Sequence, residues 1–163
     1  MKSKNLKKKK SDALKIKDCN RVIVPVDGSD GSKKAAQQAL RLAKKTGKDV
    51  TAMYVVDTPR LTQTIPDNIS IAWETILEKQ GHELLNEIEK IGKKMGVRVI
   101  KKLVEGIPDD EIVKEAKKND IIAMGCKKKS TLDKLLTGSV CEKVIHHSSS
   151  PLMIYQIKNE KSD

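Results

Sequence analysis

Apolar positions along this chain fall into two alternating rhythms. Arg21-Val22-Ile23-Val24-Pro25-Val26 is a near-continuous apolar run, as expected of a strand covered on both faces. Pro25 fits such a strand only at its end, where no ladder hydrogen bond is needed. Asp27-Gly28-Ser29-Asp30-Gly31-Ser32 is a turn cluster with several N-cap candidates. Over residues 33–46 the apolar spacing becomes helical: Ala36, Ala39, Leu40 and Ala43 share one face, and Gly47 supplies a stop. Residues 50–56 form a second apolar run, closed by Asp57 and Pro59. Residues 58–69 make a long connection for a compact domain and read as a flexible flap over a site. Leu77, Gly81, Leu84, Ile88, Ile91 and Met95 then recur in steps of four and three, the stripe of a long amphipathic helix ended by Gly96.

The third strand, over residues 97–104, carries Arg98, Lys101 and Lys102 and reads as an edge. Pro108, placed near N1, starts a short helix whose first turn holds Asp109, Asp110 and Glu111, with Ile112, Val113 and Ala116 as its buried face. Residues 121–124 give a fourth strand, Ser139 to His147 a fourth helix and residues 151–157 a fifth strand. Strict alternation of strand and helix predicts a doubly wound α/β fold, a parallel sheet with helices on both faces. Such sheets bind ligands beyond the carboxyl ends of their strands. Asp27, the segment from Val55 to Asp57, and Gly125 each lie at such an end, so three separated segments converge on one crevice.

Composition adds to this picture. Hydrophobic residues are 37% of the chain and aromatics only 2%, so Ile, Val, Leu, Ala and Met must build the core. So few rings also argue against a base-stacking platform for single-stranded nucleic acid. Of the net charge of +11, residues 1–18 contribute +6, from eight lysines against Asp12 and Asp18. That segment reads as a disordered basic arm, residues 19–158 as one domain and residues 159–163 as a tail. The arm is a solvated tail or a transient contact for nucleic acid or an anionic surface. It has too few apolar residues for a signal peptide or a transmembrane segment.

Candidate chemistry concentrates after the fourth strand. Gly125-Cys126-Lys127-Lys128-Lys129, followed by Gly138-Ser139-Val140, has the layout of an anion site: backbone N–H groups near a strand end and a helix N-terminus facing one phosphate. Ser139 can cap its helix and still offer its hydroxyl and N–H to that phosphate. Lys128 stands where a second glycine would let the backbone approach closely, and it either obstructs the anion or adds an ammonium to it. Asp27 is either an acceptor for ribose hydroxyls or an adenine amino group, or the N-cap of the first helix; capping by Ser29 or Ser32 would leave it free. No Walker A pattern, GxGxxG, nucleophile elbow or Ser-His-Asp spacing is present, so no catalytic set is expected. Cys19, Cys126 and Cys141 are scattered thiols that suggest a reducing cytoplasm and no disulfide framework. His146-His147 complements a helix C-terminus, and no metal site is expected.

Three groups of residues together resemble the universal stress protein family: Ile23-Val24-Pro25-Val26-Asp27-Gly28-Ser29; Glu105-Gly106-Ile107-Pro108 with Ile112-Val113; and residues 120–125 with the run from Gly138 to Pro151. The resemblance implies five parallel strands in the order 3-2-1-4-5. It implies a homodimer paired through the fifth strand, where Leu152-Met153-Ile154-Tyr155 would be the edge. It also implies ATP or a related adenine nucleotide, with Mg as a companion ion, in the members that bind one. Their pattern places Asp27 and Val55 against ribose and adenine, and Gly125, Gly138, Ser139 and Val140 against ribose and phosphates; Lys128 departs from it. The function so implied is a stress-response regulatory switch with at most slow, incidental ATP hydrolysis. The alternative is an interaction protein of the same fold that binds no nucleotide and meets acidic partners through its lysine-rich arm and loop.

Overall fold

Strand β1 (Arg21–Pro25) lies at the centre of a parallel sheet, paired with β2 (Asp49–Val56) on one side and β4 (Ile121–Lys128) on the other. The molecule, a computed structural model, is described over residues 16–128, 136–137 and 139–157. Beyond β2 lies β3 (Val99–Glu105), and beyond β4 lies β6 (Leu152–Ile157). These five strands give the expected parallel order 3-2-1-4-5, the fifth being β6 by count. A two-residue strand, β5 (Leu136–Thr137), runs antiparallel against Lys127 and Lys128. The expected loop after Gly125 therefore begins as strand: β4 continues through Cys126 to Lys128 because β6 pairs with it as far as Lys127 and β5 pairs with Lys127 and Lys128.

Alternation along the strands divides the core between two faces. Val22, Val24, Ala52, Tyr54 and Ala123 face helices α1 (Asp30–Thr46) and α3 (Asp67–Met95). Met53, Ile122 and Met124 face α4 (Pro108–Glu115) and α5 (Ser139–His147). Pro25 closes β1, and the next residue, Val26, donates its N–H to Met53 at 2.8 Å. Gly47 and Gly96 end α1 and α3 in left-handed turns, as the spacing predicts. β3 is the exposed edge its lysines suggest. In α4, Ile112 is buried while Val113 and Ala116 are half-buried.

Two segments differ from expectation. Residues 58–69 hold helix α2 (Thr58–Thr64), not an unstructured flap. Asp57 caps α2, accepting from the Arg60 N–H at 3.1 Å, and Pro59 occupies its first turn. Helix α3 begins at Asp67, ten residues before its apolar stripe, and this first part exposes Ile71 and Trp73 at 65% and 46%. The thiols also differ: Cys126 and Cys141 are joined as a disulfide, leaving Cys19 free and buried. Sequence separation of 15 hid a pair that the β4–α5 packing brings together. Before β1, Ile16–Asp18 makes one exposed 3-10 turn.

At the opposite end of the sheet from the crevice, Arg21 ties the strands together. Its Nε donates to Asp120 Oδ2 and its Nη1 to Thr51 Oγ1, both at 3.1 Å, while Nη1 also pairs with Glu115 Oε1 at 3.0 Å. Lys102 joins Glu115 from β3. Burial works to raise the Glu115 carboxyl, but the Lys102 and Arg21 cations outweigh it and hold the group below the ordinary glutamate value. A depressed folded-state pKa stabilises above the unfolded value, about 4.3, and that stabilisation is lost as pH falls through the folded value. Thermal unfolding followed by circular dichroism should therefore show Glu115→Gln losing about 1.5 kcal/mol at pH 7 and progressively less below pH 4. A penalty unchanged at pH 3 would refute the assignment.

Candidate functional site

Asp27 stands two residues beyond the end of β1, and the turn behind it fixes its carboxylate. Gly28 takes a φ of 86°, which folds the chain so that the Ser29 N–H donates to Asp27 Oδ1 at 2.9 Å. Ser29 is the N-cap of α1: its Oγ accepts from the Ser32 N–H at 3.2 Å. The Ser32 hydroxyl in turn accepts from the Asp27 N–H at 3.3 Å. Of the two roles open to Asp27, helix capping is thus taken by Ser29, and the carboxylate turns toward the crevice. Partial burial works to raise the Asp27 carboxyl, but the donors from Ser29 and Ser32 outweigh it and keep it below the ordinary aspartate value, hence ionised. Burial, and next the Asp27 charge, push the neighbouring Tyr54 phenol up.

A cavity of about 520 Å³ opens at the carboxyl ends of β1, β2 and β4. Its floor is apolar, with Met53, Val55, Leu77 and Met124 giving a surface suited to a flat heterocycle. One side offers the Asp27 acceptor; the other offers the N-terminal turn of α5, whose first N–H groups have no partner within the helix. Arg60 of α2 adds a cation and Asp57 an acid at the rim. An apolar slot between an acceptor and a donor-rich helix end is matched by a ligand with a ring, hydroxyl groups and an anionic tail.

Of the expected site residues, Asp27, Val55, Gly125, Ser139 and Val140 all line this cavity. Ser139 is the first residue of α5 and so lies inside the helix, not at the cap that the sequence suggests; Gly138 lies outside the described residues. Lys128 ends β4 with its backbone paired to Leu136; its side chain is outside the described part. Gly125 has a second reason to be glycine: a Cβ there would sit 2.3 Å from the Gly31 carbonyl oxygen at the start of α1. Sequence reasoning missed Arg60, although Asp57 followed by Pro59 is a helix-start signal that would have placed it. Away from this floor, the Glu74, Glu78 and Glu105 carboxylates lie within 4.8 Å of one another, an acidic group that spacing alone did not reveal. Among the described residues, no helix is long and apolar enough to cross a membrane.

The family model of the universal stress protein family matches residues 19–156, nearly the whole chain. The chain belongs to the universal stress protein family. Universal stress protein MJ0531 of Methanocaldococcus jannaschii is 35% identical over 148 residues, covering 88% of this chain and 84% of that protein. The solved structure of MJ0577 from the same organism is similar, with a TM-score of 0.72 at 27% identity over 88% of this chain and 99% of that one. A universal stress protein from Archaeoglobus fulgidus, solved in complex with dAMP, shares the fold with a TM-score of 0.56 at 22% identity, over 82% of this chain and 95% of that one. The sheet order is that of the universal stress protein fold.

Proposed function

We propose that this universal stress protein binds an adenine nucleotide, ATP with Mg being the candidate form, in the crevice above β1, β2 and β4, and works as a stress-response switch. The observation that carries the reading is convergence. Asp27, Val55, Gly125, Ser139 and Val140 come from four separate elements and line one cavity. Asp27 accepts from the ribose hydroxyls, Val55 packs against adenine, and Gly125, Ser139 and Val140 present backbone N–H groups to ribose and phosphates. Gly138 and Lys128 complete the proposed set at the phosphate end. The bound dAMP of the Archaeoglobus fulgidus protein supports the choice of nucleotide class.

The switch reading pairs this cytoplasmic protein as a homodimer through the outer edge of β6, whose Leu152, Met153, Ile154 and Tyr155 are only half-buried in one subunit. Nucleotide occupancy would then bias the dimer or a partner surface. A second reading, an interaction protein that binds no nucleotide, is favoured by the exposed Ile69, Ile71, Trp73 and Ile76 along α3.

Denaturing the purified protein and examining the released small molecules by mass spectrometry separates the two. An adenine nucleotide should be found, or millimolar Mg-ATP should raise the melting temperature of the empty protein. Neither result would leave the interaction reading in possession. Asp27→Ala should weaken calorimetric affinity by about tenfold, the cost of a lost charge-assisted hydrogen bond. Unchanged affinity would remove Asp27 from the site.

A further inference from the structure

We propose that the Cys126–Cys141 pair is a redox lock on the nucleotide pocket: the disulfide holds the wall in its binding shape, and reduction through the pocket releases it. Cys126 belongs to β4 and Cys141 to the first turn of α5, with Cα atoms 6.4 Å apart. Both are almost fully buried, at 2% and 4% exposure, and both line the 520 Å³ cavity. The bond joins the two segments that carry the donor side of the crevice, Met124 to Cys126 and Ser139 to Cys141. Helix α5 packs on α4 and shares a buried apolar cluster with β4, and the disulfide adds a covalent tie between those walls. In a reducing compartment disulfides are uncommon, and those that occur are mostly transient, catalytic or redox-sensing.

The chemistry balances with a low-molecular-weight thiol–disulfide couple as co-reactant. A thiolate of a reducing dithiol attacks one cysteine sulfur; the Cys126–Cys141 bond breaks as a mixed disulfide forms, and the other cysteine leaves and is protonated. The second thiol of the reductant then displaces the first cysteine, giving two protein thiols and the oxidised dithiol. Oxidised glutathione runs the exchange in reverse and releases two glutathione molecules. Because both cysteines line the cavity, nucleotide and reductant compete for one opening. Linkage requires the same coupling in both directions: if the disulfide favours nucleotide, nucleotide favours the disulfide.

The coupling rests on the nucleotide reading. Full-length protein is prepared oxidised with glutathione disulfide and reduced with dithiothreitol. Titration of thiols in denaturant should find one in the oxidised form, Cys19, and three in the reduced form. Calorimetry with Mg-ATP and with AMP should show the reduced form binding at least about fivefold more weakly, the low end of usual coupling. Reduction should lower the melting temperature by roughly 6–12 °C, the effect of opening a loop of this length. Saturating nucleotide should slow the reduction. Cys126→Ser and Cys141→Ser should each bind like the reduced protein and ignore reductant; the oxidised and reduced wild type make the same comparison without substitution. Three thiols after glutathione disulfide, or measurable but equal affinity in both redox forms, overturns the lock and leaves the nucleotide reading standing. No binding in either form overturns the nucleotide reading and the coupling together.

Discussion

Gly125→Ala should lower stability by about 3 kcal/mol, at the upper end of what one added carbon costs in a packed interior. The new Cβ would lie 2.3 Å from the Gly31 oxygen, 2.6 Å from its carbonyl carbon and 3.2 Å from its Cα. All three are backbone atoms, so no rotamer change relieves the contact. Gly31 itself is buried in the first turn of α1, and that turn is tied back to Asp27 through Ser29 and Ser32. Strain at Gly125 must therefore push the helix from the sheet or distort the Asp27 turn. Urea denaturation without nucleotide should show the loss as a reduced midpoint, equivalent to a fall in melting temperature of roughly 6–12 °C. A change within about 0.5 kcal/mol, the usual range for an unconstrained surface site, would mean that α1 and β4 do not approach so closely.

Asp120→Ala should cost about as much, for an electrostatic reason at the other end of the sheet. Asp120 is 1% exposed; its Oδ2 accepts from Arg21 Nε at 3.1 Å and from the Lys117 N–H at 2.9 Å. Truncation leaves a half-buried guanidinium short of a partner and a backbone N–H unsatisfied, a defect of about 3–5 kcal/mol when the pair is buried. Glu115 still neutralises part of the Arg21 charge, which favours the lower figure, about 3 kcal/mol. The signature is non-additivity: Arg21→Met combined with Asp120→Ala should lose at least about 1 kcal/mol less than the sum of the single losses. Strict additivity would show that the two side chains stabilise the fold independently.

The strand–helix alternation was readable because each element keeps its own apolar period. Gly47, Gly96 and Pro25 marked ends for reasons that hold without tertiary context. What escaped was set by contacts distant in sequence. Cys126-Lys127-Lys128 looks like loop because lysines rarely fill a strand interior, yet β5 pairs with its end. Helix α2 has too few apolar positions in seven residues to declare a period. In the first turns of α3, Ile71 falls off the later stripe, and Trp73, although four residues before Leu77 and on the stripe's face, still meets solvent. At the site, Asp27 and Val55 were legible as strand ends. Gly125 was legible as a glycine position but for only one of its two reasons, since its contact with Gly31 spans most of the chain.

The central position of β1 has a consequence for synthesis. One edge of β1 meets β2 within a few dozen residues, but the other waits for β4, and Arg21 for Asp120 across a separation of 99. An emerging chain can assemble β1, β2 and β3 early, yet it carries an uncovered apolar strand edge until the last third is made. Closing that gap is a non-local step of the kind that slows folding. The interval before β4 arrives is when a nascent chain of this order is most open to pairing with another.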